Sequence, residues 1–104
     1  MDDSDYSHGP EATKYKFILF ISGMSVKSGH AVENLKRLCD THFVDNFDLR
    51  IIDISREQHL AVEFEIIAVP TLIKVSPAPR RVILGDLSDT AKVLKILDVE
   101  LNER

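Results

Sequence analysis

The chain has 104 residues, 44% of them hydrophobic and 29% charged, which suits one globular domain and excludes a polar, disordered chain. Thirteen lysines and arginines against 17 aspartates and glutamates leave a net charge of −4, which argues against a nucleic-acid partner. One cysteine excludes an internal disulfide, and no run approaches the ~18 apolar residues of a membrane span.

Residues 1–14 are polar and acidic and lack an apolar signal run, so they read as a mobile tail ahead of a domain over 15–104. With the lone cysteine, this predicts a cytoplasmic protein. Tyr15 to Ile21 is an aromatic and β-branched run ending at Ser22-Gly23, the pattern of a central strand buried on both faces. Ser28 can cap a helix whose stripe is Ala31, Val32, Leu35, Leu38 and Cys39, ending near Thr41 to Phe43. Leu49 to Ile54 is a second strand, and the resulting βαβ unit requires a parallel pair.

Ser55 to Gln58 has capping-box spacing and predicts a helix from Ser55 through Ile66. Val69-Pro70-Thr71-Leu72 reads as the cis-proline corner of a thioredoxin-like fold, with a third strand over Thr71 to Val75. Pro77 and Pro79 lie in the connection to an antiparallel fourth strand, Val82 to Leu84. Asp86 to Asp89 supplies caps for a last helix. The expected fold class is therefore α/β, thioredoxin-like, in the order βαβαββα. Two segments fit both periods. Leu97, Val99 and Leu101 alternate like a strand, although Val93, Leu94, Leu97 and Leu101 make a helical stripe. Val62, Phe64 and Ile66 alternate too, although Leu60, Phe64 and Ile67 share a helical face. Chance and a C-terminal half with two low-energy folds both account for this.

Where a thioredoxin-type enzyme needs Cys-x-x-Cys, this chain has Ser25-Val26-Lys27-Ser28. A serine hydroxyl is a poor nucleophile at neutral pH, and no histidine lies within the motif to activate it. Cys39 sits on the apolar stripe and reads as buried and inert. His8, His30, His42 and His59 lack metal-pair spacing, and the scattered glycines form no phosphate loop. No catalytic residue, metal or cofactor is expected. Lys74, Arg80 and Arg81 bracket a proline-stiffened hairpin. Their charge either protects an edge strand or docks an acidic partner.

The series Thr71-Leu72-Ile73-Lys74-Val75, Pro77-Ala78-Pro79-Arg80-Arg81 and Gly85-Asp86-Leu87-Ser88, with Tyr15 to Gly23 and Leu49 to Asp53, resembles the KaiB circadian clock family from about Tyr15 to Leu101. The resemblance implies a non-enzymatic partner of the KaiC ATPase that binds in a thioredoxin-like form. At rest it would be a tetramer or dimer with a βαββααβ fold, in equilibrium with monomer. It implies partner binding by Arg50, Lys74, Arg80 and Arg81, a fold-switch hinge at Pro70, Gly85 and Asp86, and capture of a KaiA-like protein. Departures at Met24-Ser25-Val26, His30 and Asp48, the reduced acidic C-terminal tail and the N-terminal extension imply a divergent paralogue serving its own KaiC homologue. The competing readings are a thioredoxin-like thiol or glutathione-binding protein using the Val69-Pro70 edge, and a sensory domain of the type found in the clock kinase SasA.

Overall fold

The computed structural model describes residues 14–23 and 25–97. The expected tail, apart from Lys14, and the alternation at Val99 and Leu101 lie outside them. The observed order is β1 (Tyr15–Ile21), α1 (Val26–His42), β2 (Phe47–Asp53), α2 (Gln58–Glu63), β3 (Thr71–Ser76), β4 (Arg81–Leu84) and α3 (Thr90–Ile96). This is βαβαββα; the alternative βαββααβ arrangement is not the one seen.

One sheet carries the strands in the order β2-β1-β3-β4. The apolar run of β1 accounts for its central place. It pairs in parallel with β2, setting Ile18 opposite Arg50, and antiparallel with β3, setting Ile18 opposite Ile73. β4 closes the other edge antiparallel to β3, with Lys74 opposite Arg81. The Val69–Pro70, Ser76–Pro77 and Ala78–Pro79 bonds are cis.

Side-chain alternation divides the core in two. On one face Phe17, Leu19, Leu72 and Ile83 pack with Leu35 and Leu38 of α1 and Val93 and Leu94 of α3. Phe43, just past α1, closes this layer, its ring centroid 4.6 Å from Tyr15 and 5.3 Å from Phe17. On the other face Phe20, Ile52, Leu60 and Ile73 form a smaller cluster, edged by half-buried Ile18, Phe64 and Ile66. The single short helix α2 serves that second face, so both ends of it lie open.

The helix starts differ from expectation. Ser25, not Ser28, caps α1: its Oγ accepts from the Ser28 N–H at 3.2 Å. Ser28 is buried one turn in, where its Oγ accepts from the Ser22 N–H at 3.1 Å. Likewise α2 opens at Gln58 with Glu57 at its cap, because Ser55 is committed elsewhere: its hydroxyl donates to Asp53 Oδ1 at 2.7 Å. α2 also stops at Glu63 rather than Ile66. Glu65 has φ of 57°, which turns the chain out of the helix and packs Ile66 instead of Ile67. At the C-terminal end the helical period prevails through Leu97, which is fully buried.

Candidate protein-docking surface

The hydroxyls at the dithiol positions are structural. Ser25 serves as a cap and Ser28 anchors the end of β1, so neither is set up as a nucleophile. Cys39 is buried, and burial together with the neighbouring Asp40 carboxylate pushes its thiol up to about 12. Thiolate is therefore scarce at neutral pH. Among the described residues no three histidine, cysteine or acidic side chains gather as a metal site. His30, His42 and His59 are all exposed.

The basic residues do not form one patch. Arg50 lies exposed on β2, on the sheet face that α2 leaves open. There Lys16, Ile18, Asp48, Arg50 and Val75 line a groove of about 440 Å³. Arg80 is exposed at the opposite edge, where it joins Glu65, Ile67, Val82 and Leu84 around a second hollow. Ile67 is 87% exposed and Leu84 56%, an unusual concentration of apolar surface beside one cation.

Lys74 and Arg81 point away from both hollows. Alternation along β3 and β4 turns them toward the α1–α3 layer. Lys74 is only 2% exposed, and its Nζ donates to the Leu97 carbonyl at 2.9 Å. Arg81 is half-buried. The expectation of a single basic hairpin surface is thus corrected: Arg80 faces solvent, whereas Lys74 joins β3 to the end of α3 in this fold.

The residues named as a hinge do lie together. The Pro70 carbonyl accepts from the Gly85 N–H at 3.0 Å. Gly85 has φ of +112°, and Leu87 follows at 64° with its side chain buried. The Asp86 carbonyl accepts from Asn34 Nδ2 at 2.8 Å, tying the β4–α3 connection to α1. The Asp86 carboxylate lies below the usual aspartate range, held there first by Ser88 hydrogen bonds and also by Lys27 and His30. A similar knot closes the other end of the sheet. Asp53 Oδ1 accepts from Ser55 Oγ, from the Gly23 N–H at 2.9 Å and from the Ser55 N–H at 3.0 Å. These bonds, the Ser55 hydroxyl foremost, hold the Asp53 carboxyl below its ordinary value. Asp53 and the Lys16–Ile18–Val75 groove were missed in the sequence. The Asp-x-Ser spacing and the alternation of Lys16 with Ile18 were the available signals.

A four-stranded sheet flanked by helices, with serines at the dithiol positions, defines a protein of the thioredoxin-like class that lacks its sulfur pair. The N-terminal domain of Synechococcus elongatus SasA has the same fold, with a TM-score of 0.69 at 22% identity over 97% of this chain and 99% of that one. The Deadhead thioredoxin of Drosophila melanogaster gives 0.66 at 16% identity, over 85% and 83%. The chain belongs to the KaiB family: the KaiB domain matches residues 18–99. The circadian clock protein KaiB3 of Synechocystis is 42% identical over 78% of this chain and 79% of its own. The circadian clock oscillator protein KaiB of Trichodesmium erythraeum is 40% identical over 90% and 93%.

Proposed function

We propose that this chain is a non-enzymatic regulatory subunit for a KaiC-type ATPase in circadian or related timing or stress signalling, acting in the cytoplasm. Support comes from family membership. The single observation carrying the reading is that both dithiol positions hold serines engaged in backbone hydrogen bonds, which leaves surface rather than chemistry. Arg50 and Arg80 present the exposed charge for docking. Lys74 and Arg81 act in the fold that positions them.

Binding proceeds by population shift between this thioredoxin-like form and a resting homo-oligomer of different C-terminal fold, with Pro70, Gly85 and Asp86 at the hinge. A KaiA-like protein is a further partner of the bound form. Capture of purified KaiC homologues on the immobilised chain with ATP is the test. A complex that forms slowly, at a rate independent of ATPase concentration, is expected; no complex with any homologue rejects the proposal.

A further inference from the structure

We infer that the acidic N-terminal segment, residues 1–13, docks in cis on the groove lined by Lys16, Ile18, Arg50 and Val75. The groove exists because α2 covers only the middle of its sheet face. Ile18 is half-buried at the margin of the second core, and Val75 is 43% exposed. Two cations, Lys16 and Arg50, rim this apolar floor, with Asp48 the single acid among them. The segment 1–13 carries Asp2, Asp3, Asp5 and Glu11, no lysine or arginine, and one aromatic side chain, Tyr6. That composition complements the groove: carboxylates for the rim and a ring for the floor.

Connectivity also selects this segment. It joins the described chain at Lys14, two residues before Lys16. Thirteen residues reach at most about 45 Å, whereas Lys16 to Ile18 spans about 7 Å of strand. The C-terminal residues 98–104 depart from Leu97, which is packed on the opposite face under α1 and α3. The hollow at Arg80 is less suited, since β3 separates β4 from β1 and Glu65 offsets its one cation. Docking here covers Arg50, so the segment competes with any partner that reads that residue.

The test is paramagnetic broadening in the full chain. A nitroxide is placed at Ser4→Cys, which keeps every acidic charge; Cys39, being buried, stays unlabelled. Expected is loss of most of the Ile18 and Val75 methyl intensity, while Val26 and Leu87, beyond the opposite end of the strands, keep most of theirs. Arg50→Glu restores the signals and Arg50→Lys does not. Salt near 1 M also restores them, since the screening length falls to about 3 Å. The inference is overturned by intact Ile18 and Val75 signals, by equal broadening of Val26 and Leu87, or by broadening only when label and isotope sit on separate chains.

Discussion

Asp53 carries more of the architecture than its half-buried place at the end of β2 suggests. One carboxylate oxygen receives three hydrogen bonds, joining the end of β2 to Gly23 at the end of β1. Because its folded pKa lies below the unfolded one, its contribution is fully present above the unfolded value of about 3.9. That contribution is lost as pH falls through the folded value. Asp53→Asn should therefore lower the urea midpoint at neutral pH, and the gap from the parent should narrow as pH falls below the unfolded aspartate value and through the lower folded one. A gap that is constant with pH contradicts the assignment. Lys74 makes a different point at the same scale. A lysine in a strand reads as surface charge, but alternation turns Lys74 to the side of β3 that α1 and α3 cover, so its ammonium donates to the Leu97 carbonyl. Lys74→Met should cost about 1.5–3 kcal/mol in denaturant melts, the usual worth of a charged hydrogen bond.

Helices and strands differ in how far local pattern determined them. The α1 stripe was legible because Ala31, Leu35, Leu38 and Cys39 recur at helical spacing on a long segment, and all four are buried. β1 was legible as central from its apolar run Phe17 to Ile21. The α2 segment was not, because its end is set by the left-handed turn at Glu65 and by Ser55 bonding to Asp53, both consequences of tertiary packing. The same limit applies to the docking surface: sequence located Arg50 and Arg80 but not the strand order that puts them at opposite edges. Two glycines test the element scale. Gly29 lies exposed inside α1, where a Cβ meets nothing within 4 Å, so Gly29→Ala should stabilise by about 0.5–1 kcal/mol. Gly85 has equal space but φ of +112°, so Gly85→Ala should destabilise by strain alone. Paired melts giving the same sign at both sites contradict that distinction.

At the scale of the whole molecule, the sheet is asymmetrically covered. α1 and α3 seal one face and α2 half-seals the other, which leaves a cationic groove at the β2 side and an apolar hollow with Arg80 at the β4 side. A partner that uses one edge need not touch the other, so the two sites should be separable. Arg50→Glu and Arg80→Glu are exposed substitutions that leave both cores intact, and each should fold like the parent. If the ATPase reads the β4 side, Arg80→Glu should weaken the complex and lower its salt dependence, while Arg50→Glu leaves both unchanged; the converse assigns the β2 side. Equal loss from both would mean one partner spanning the open face, across α2. No loss from either would remove exposed charge as the basis of docking and leave the apolar Ile67–Leu84 surface to carry it. Dissociation constants measured at two salt concentrations separate these outcomes, because rim charge contributes a salt-dependent part of the affinity whereas apolar burial does not.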